Sequence, residues 1–194
     1  AASINNNGSR IAIGEPDNGN GNVRIYEYSN SLWVQLGSDI GGENSGDAFG
    51  VSLSLDADGD RVIIGAEGND DGGSDAGHTR IYEYSSGSWS QLGSDIDGEA
   101  AGDKSGSVVS IDDDGDRVAI GAYQNDGGGT GSGHVRVYEY SSGSWSQLGS
   151  DIDGDAAGDE FGDALSLDAD GSHIAIGGVG NDENGSNAGY ARVM

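Results

Sequence analysis

Alternating carboxylates in the segment DIDGDAAGD are the residues of this chain best suited to bind an ion. Asp151, Asp153, Asp155 and Asp159 occupy positions 1, 3, 5 and 9 of that segment. Calcium takes about six to eight oxygen ligands, and alternate carboxylates on a glycine-bent loop can converge on one ion. The segment lacks the glutamate of an EF-hand. We therefore predict a calcium site of another type, and the alternative is an acidic turn whose Asp and Gly residues serve turn geometry.

Two earlier segments of the chain repeat this acidic spacing. The middle copy keeps all four carboxylates, whereas the first copy is one short because Gly41 stands in place of a carboxylate. The same calcium chemistry is therefore predicted for each copy. The candidate ligands of these two copies are Asp39, Glu43 and Asp47, and Asp95, Asp97, Glu99 and Asp103.

A second set of candidate ligands lies in a Gly/Asn/Asp-rich loop between two predicted strands. This loop varies most in composition among the copies, reading EGNDDGGSDAGH, YQNDGGGTGSGH and VGNDENGSNAGY. Variable loops on a constant scaffold often carry recognition. We predict a second metal site or a recognition loop here, and a flexible surface loop is the alternative. Its recurring residues are Asn69 and Asp70, Asn125 and Asp126, and Asn181 and Asp182.

Aromatic and histidine side chains offer less specific chemistry. Tyr123 and Tyr190 fall outside the repeated aromatic positions and near the variable loop, so they are predicted recognition residues. The repeated Trp and Tyr residues are expected to pack between repeats, or to stack on sugar rings where exposed. His78 and His134 recur at the start of a predicted strand, and no histidines pair at ligand spacing. We therefore expect a structural role for them and no transition-metal site.

A 56-residue repeat must position all of these residues. Tyr26, Tyr82 and Tyr138 are 56 residues apart, and the segments 82–98 and 138–154 are identical. Alternating apolar residues and Asp/Gly turns predict four short strands in each repeat, and no segment has a helical apolar period. Four antiparallel strands per repeat predict an all-β protein of the β-propeller class. In the second repeat the predicted strands are 51–55, 61–66, 78–84 and 88–93.

The repeat predicts a single β-propeller, or part of one, over residues 1–194, with about 3.75 blades. Because both ends fall within a blade, we expect a portion of a longer polypeptide. Half of a propeller completed by a second copy and a four-bladed ring with one incomplete blade are the alternatives. The predicted blades are approximately 1–41, 42–97, 98–153 and 154–194, the last incomplete.

These repeats resemble the FG-GAP repeats of integrin-α-like propellers. The Phe-Gly pair of that family is present as Phe49-Gly50 and Phe161-Gly162, with Ser105-Gly106 in the middle copy. The resemblance implies an extracellular module for adhesion or ligand binding, with calcium in the loop between the first two strands. In this chain a basic residue replaces the last acidic ligand of that loop, so an Asp/Gly hairpin turn is expected there instead of a calcium site. The replacing residues are Arg61, Arg117 and His173.

The charge of the chain excludes some partners and favours others. With 34 acidic and 8 basic residues, the net charge is −26, which repels nucleic acid. No apolar run reaches the roughly 18 residues that a membrane helix needs, so membrane insertion is not expected. Seven of the eight basic residues recur in register with the repeat, and we expect them to pair with the repeated carboxylates. The remaining negative charge favours an extracellular medium that contains calcium.

Three functions are compatible with these features. The first is a non-enzymatic extracellular or cell-surface scaffold or adhesion module, stabilised by calcium, that presents loops to a protein or glycan. The second is a structural subunit of a surface appendage, an extracellular filament or a virion fibre on the virion surface, whose partners are further blades of the same or a second chain. The third is a propeller domain of a larger secreted enzyme. The chain itself is predicted not to be an enzyme, because its carboxylates belong to repeated turns and no catalytic fingerprint is present.

Overall fold

A computed structural model describes all residues from Ala1 to Met194 as 18 β-strands in four antiparallel sheets, which we call the first to fourth blades. The first blade contains β1 (Ala2–Ile4), β2 (Arg10–Glu15), β3 (Asn22–Ser29), β4 (Leu32–Gln35) and β5 (Ile40–Gly41). The second contains β6 (Ser52–Leu55), β7 (Arg61–Ala66), β8 (His78–Ser85), β9 (Ser88–Gln91) and β10 (Ile96–Asp97). The third contains β11 (Val108–Ile111), β12 (Arg117–Ala122), β13 (His134–Ser141), β14 (Ser144–Gln147) and β15 (Ile152–Asp153). The fourth contains β16 (Phe161–Leu167), β17 (Ile174–Gly178) and β18 (Tyr190–Val193).

The strands form where β-branched residues follow a tight Asp/Gly turn. In the second blade, β6 pairs with β7 and β7 pairs with β8, so that Val62 lies opposite Tyr82. The turn between β6 and β7 requires Gly59, whose φ of 70° lies in the left-handed region that favours glycine. Strand β7 has the predicted bounds 61–66, and the predicted strand order is confirmed.

The outer strand of each complete blade is interrupted, which the repeat pattern did not predict. β9 pairs with the end of β8, whereas the two-residue β10 pairs with its start, at Thr79 and His78. Leu92 continues the outer edge by donating its N–H to Ile81 O at 2.8 Å. The break between β9 and β10 contains Asp95, so the predicted calcium segment begins at the break and not in a free loop.

Three apolar cores lie between neighbouring blades, because each strand places alternate side chains on opposite faces. The first core joins the first and second blades and contains the fully buried Phe49, and the third joins the third and fourth blades around Phe161. The middle core contains Ile63 and Ile81 of the second blade and Val118 of the third. A blade is therefore stabilised mainly by its neighbours rather than by a core of its own.

Two polar contacts recur between the blades, one made by Trp at the first two interfaces and one made by Arg at all three. The indole N–H of Trp89 donates to Leu36 O of the preceding blade at 2.8 Å, and Trp145 donates to Leu92 O at the same distance. Arg61 pairs with Glu83 of its own blade at 2.9 Å and donates to Gly115 O of the next blade at 3.0 Å. The arginine–carboxylate pairing was expected between blades, but the Arg61 ion pair lies within one blade, and its contact with the next blade is a hydrogen bond to a backbone oxygen.

In the second blade, the turn between β6 and β7 is organised around a buried carboxylate. Asp56 is 4% exposed and accepts the Arg61 N–H at 3.1 Å. Burial raises its pKa from 3.8 to about 6, and the neighbouring Asp60 contributes to the increase. In the first blade Asn5 occupies the same place and accepts the Arg10 N–H at 2.9 Å. The turn therefore needs an oxygen acceptor but not a negative charge.

Replacing Asp56 with asparagine is expected to stabilise the protein at pH 7 by about 1–2 kcal/mol, after allowance for solvent screening. The folded state holds the proton of Asp56 up to a pH of about 6, above the ordinary value of 3.8. The contribution of Asp56 to stability therefore rises as the pH falls through 6. Urea unfolding at pH 7 and pH 5 measures this effect, and the variant should gain less on acidification than the wild type. Equal gains in both proteins would contradict the assigned cause.

Candidate functional site

The variable loops and the acidic linkers meet at one end of the blades, which we call the loop face. It comprises the long loops 67–77, 123–133 and 179–189 and the linkers 42–48, 98–104 and 154–160. In the second blade the linker N–H of Gly102 donates to Ser74 O at 2.9 Å. Lys104 Nζ pairs with Asp75 Oδ1 of the long loop at 2.8 Å. The two predicted sites are therefore parts of one surface.

The last carboxylate of each predicted calcium segment is buried and bound to an asparagine of the long loop. Asp103 is 3% exposed, and its Oδ2 accepts from Asn125 Nδ2 at 2.9 Å and from Ala100 N at 3.1 Å. The same amide–carboxylate contact recurs in the neighbouring copies at 3.0 Å and 3.1 Å. These hydrogen bonds connect the long loop to the linker. The repeated pairs are Asp47 with Asn69, Asp103 with Asn125 and Asp159 with Asn181.

The first and third carboxylates of the segments lie beside arginines of the third strand. Arg80 Nη2 lies 2.6 Å from both Glu43 Oε1 and Asp95 Oδ2. Burial acts to raise the pKa of Asp95, but hydrogen bonds from Arg80 and Gln91 outweigh it and lower that pKa. The Arg80 guanidinium therefore binds one carboxylate from each of two different predicted calcium segments. The equivalent pairs are Arg24 with Asp39, Arg136 with Glu99, and Arg192 with Asp155.

The other carboxylates of the segments are placed by the interrupted outer strand. Asp97 lies in β10 opposite His78, and Asp153 lies in β15 opposite His134. Asp151 accepts from Gln147 Nε2 at 2.7 Å within the break of the third blade. Acidic groups of the loop face could hold a metal ion, and the clusters that they form combine residues of different segments.

One cavity of the loop face brings together members of both predicted sets. It has a volume of about 350 Å³ and lies between the linker 154–160 and the long loop 179–189. Oxygen-bearing side chains from both segments line it, and they are Asp155, Asp159, Asn181, Asp182 and Glu183. Among the predicted ligands, this is the grouping that most resembles an oxygen-lined ion site.

The Asn and Asp residues that recur in the long loops stabilise the conformation of these loops. Asp70 Oδ1 accepts from Asp75 N at 2.8 Å, and Asp126 Oδ1 accepts from Gly131 N at 2.8 Å. Asp182 Oδ1 accepts from Asn187 N at 2.7 Å in the same way. Since the repeated Asn and Asp residues fix the loop, the residues between them are free to vary without loss of loop shape.

The two predicted recognition tyrosines occupy different environments. Tyr123 is half-buried at the start of a long loop, and burial raises its pKa, with Glu67 adding to the effect. Tyr190 takes the repeat position of His78 and His134 and stacks on Phe161, with ring centroids 5.5 Å apart. Tyr190 therefore contributes to packing, whereas Tyr123 lies at the edge of the loop face.

Two equivalent grooves lie where a Trp meets the break of the preceding outer strand. Each has a volume of about 260 Å³. The first is lined by Trp89 and Tyr82 of one blade and Asp39 and Ser38 of the preceding blade. An aromatic ring beside carboxylate and hydroxyl groups suits a polar ring such as a sugar. Sequence reasoning missed these grooves because their residues come from two blades, although the 56-residue spacing of the Trp residues was visible.

The segment of residues 41–82 matches the family model for the FG-GAP repeat. It contains β6, β7 and most of β8, together with the long loop 67–77 and the buried Asp47–Asn69 pair. The predicted FG-GAP resemblance is confirmed. In this matched segment the long loop 67–77 belongs to the loop face.

Comparison with solved structures supports the propeller fold of the chain. TolB from Acinetobacter baumannii matches with a TM-score of 0.55 and 16% identity, over 100% of this chain and 42% of TolB. A candidate 6-phosphogluconolactonase from Bacteroides fragilis matches with a TM-score of 0.55 and 12% identity, over 80% of this chain and 39% of that protein. The chain thus spans about two fifths of either structure. At these identities the likeness shows the fold alone, and the predicted β-propeller class is confirmed.

No curated protein matches the chain in sequence. None of the secondary-structure elements is a helix that could span a membrane.

Proposed function

We propose that this FG-GAP propeller module is a non-enzymatic scaffold or adhesion module of the cell surface or extracellular space, and that the loop face binds a protein or glycan. The observation that carries this proposal is the position of the variable loops, which lie together at one end of a closely repeated framework. Binding surfaces are commonly built in this way, with changeable loops on a rigid support. The two grooves beside Trp89 and Trp145 lie outside the loop face, at the breaks of the outer strands, and would offer a glycan a separate place to bind.

The non-enzymatic part of the proposal rests on how the carboxylates are used. Asp103 is bound to Asn125, and Glu43 and Asp95 are bound to Arg80. Carboxylates in such pairs are not free to act as acid and base on a substrate. A similar structure is a candidate lactonase, but its identity to this chain is 12% and carries no activity across. A propeller domain within a larger secreted enzyme is the alternative, with the chemistry in another domain.

Calcium stabilisation and an extracellular address are further parts of the proposal. Their support is the net charge of −26, which destabilises a compact chain unless cations offset it. The cavity between Asp155 and Glu183 is the grouping best suited to calcium.

The structural alternative is favoured by the exposed apolar residues of the terminal blades. Ile4 of the first blade is 60% exposed and Val193 of the fourth is 75% exposed. Further blades of the same or a second chain would bury such residues. In that case contacts would form through blade surfaces rather than through the loop face.

Exchange of the long loops tests the proposed function. In one variant the residues of 123–133 and 179–189 are replaced by those of 67–77, which gives three identical loops of equal length on an unchanged framework. We expect glycan-array or cell-surface binding to fall by at least about tenfold, because a recognition contact of about 1.4 kcal/mol is lost. Melting temperature is measured alongside, to exclude unfolding.

A matched control replaces the SSG turns at 85–87 and 141–143 with NGG. These turns lie at the far end of the strand-three and strand-four hairpins. Binding that survives the loop exchange, or that falls equally in the turn control, would contradict recognition by the loop face. Self-assembly that is unchanged in both variants would instead favour the structural alternative.

A further inference from the structure

The imidazole of His78 has a buried nitrogen without a hydrogen-bond partner. His78 is 1% exposed and opens β8 at the base of the long loop 67–77. Its Nδ1 makes no hydrogen bond to any protein group. Buried polar atoms are nearly always paired, and an orphaned one calls for a missing ligand, ion or water.

Three carboxylates from separate segments surround this histidine. Glu43 comes from the linker after the first blade, Asp71 from the long loop, and Asp95 from the break of the outer strand. The ligand atoms of these residues and of His78 all lie within 4.8 Å of one another. His78 Nδ1 itself is 3.9 Å from Asp95 Oδ2, so the orphaned nitrogen faces the carboxylates.

We propose that Glu43, Asp71, His78 and Asp95 form a binding site for a transition-metal dication of the zinc type. One imidazole nitrogen with carboxylate oxygens is a donor set that zinc and its neighbours accept. Calcium prefers oxygen ligands alone, so this site differs from the calcium chemistry of the acidic segments. The site lies partly within the loop face, since Glu43 and Asp71 belong to it, but the proposal does not require that this face bind a protein or glycan.

The site lies in negatively charged surroundings, because Asp97 lies opposite His78 in the sheet.

Arg80 sets an upper limit on the affinity. Its Nη2 lies 2.6 Å from one oxygen of Glu43 and from one oxygen of Asp95. Each carboxylate has two oxygens and can serve a guanidinium and a metal together. Because the guanidinium repels a dication, we expect micromolar rather than nanomolar binding.

The third blade provides an internal comparison. Its equivalent group contains Glu99, His134 and Asp151, but Gly127 stands where the second blade has Asp71. The first blade has Asn22 in the histidine position, so asparagine is compatible with the fold there. The chain thus supplies natural substitutions for each test.

Zinc titration by calorimetry tests the site. The background is His173→Arg, which gives the fourth blade the residue of the other three and removes the exposed Asp168–Asp170–His173 group. Excess calcium is included so that it occupies the groups that bind a cation through oxygen ligands alone. We expect a single tightest zinc site, weakened at least about tenfold in Asp71→Gly and lost in His78→Asn, since even indirect partners of metal ligands change affinity by about 10–100-fold. Gly127→Asp is expected to add a second site of similar affinity.

Cobalt absorption supplies a readout that does not depend on affinity. The visible bands of cobalt bound with a nitrogen ligand should be present in the background and absent in His78→Asn, because the only nitrogen ligand of the site is removed. Asp71 is exposed, so Asp71→Gly tests the site without disturbing a buried group. The proposal would be overturned if zinc bound with equal affinity to the background, to Asp71→Gly and to His78→Asn. It would also be overturned if no zinc bound beyond the amount that calcium-masked surface carboxylates take up.

Discussion

Replacing Gly65 with alanine is expected to lower the free energy of unfolding by about 3–5 kcal/mol, at the upper end of single-substitution effects. Gly65 lies in β7, and a Cβ there would overlap the backbone oxygen of Gly106 in the next blade. Neither backbone can move without separating β7 from β8 or opening the middle core. The same close approach joins Gly14 to Gly50 and Gly121 to Gly162. Urea unfolding followed by Trp fluorescence measures the loss.

Gly41→Ala is the matched control for this prediction. Gly41 also lies in a strand, but a Cβ there would meet nothing within 4 Å. We expect a change within about 0.5 kcal/mol, in line with other exposed substitutions. A similar loss in both variants would mean that the conformational freedom of glycine, and not blade contact, determines the effect.

Replacing Asp103 with alanine is expected to destabilise the protein by about 2–3 kcal/mol, because it leaves the buried Asn125 amide and the Ala100 N–H without their acceptor. Both hydrogen bonds end on the same oxygen, Asp103 Oδ2. The loss should be the same with calcium and with a chelator, since the partners of Asp103 are protein groups. Thermal and urea unfolding under both conditions measure it.

Asp103→Asn distinguishes this structural role from calcium ligation. An asparagine oxygen can accept the same two hydrogen bonds, so we expect this variant to lose less than about 1 kcal/mol. A calcium ligand would behave differently, because the loss of its charge in Asp103→Asn would weaken calcium binding as much as the substitution Asp103→Ala does. If Asp103→Asn and Asp103→Ala lost equal stability in calcium and none in chelator, the carboxylate would be a calcium ligand after all.

The fold was predictable from the sequence because its information is local and repeated. The short run of apolar residues in RVIIGA indicated the bounds of β7, and the Asp/Gly turn before it marked the hairpin. The interrupted outer strand was not predictable, since the two-residue β10 has no period of its own. Its position depends on pairing with Thr79 and His78, which lie almost 20 residues earlier.

The candidate site was predictable in composition but not in connectivity. The spacing of Asp95, Asp97 and Asp103 suggested one ion, yet the strand β10 directs Asp97 to His78 and burial directs Asp103 to Asn125. Arg80 was expected to pair with carboxylates, but its simultaneous contact with Glu43 and Asp95 depends on the packing of two blades. Residues that come together from different repeats are not marked by a regular spacing in the sequence.

The Trp contact between blades has a consequence for how such a gene can change. Trp89 meets Leu36 O and Trp145 meets Leu92 O in the same way, so each blade presents to its successor the surface that it receives from its predecessor. Unequal crossing-over within the identical segments 82–98 and 138–154 would delete or duplicate one 56-residue unit in frame. The new junction would repeat an interface that already exists. The array can therefore lengthen or shorten by whole blades during evolution, while the long loops diverge separately in each copy.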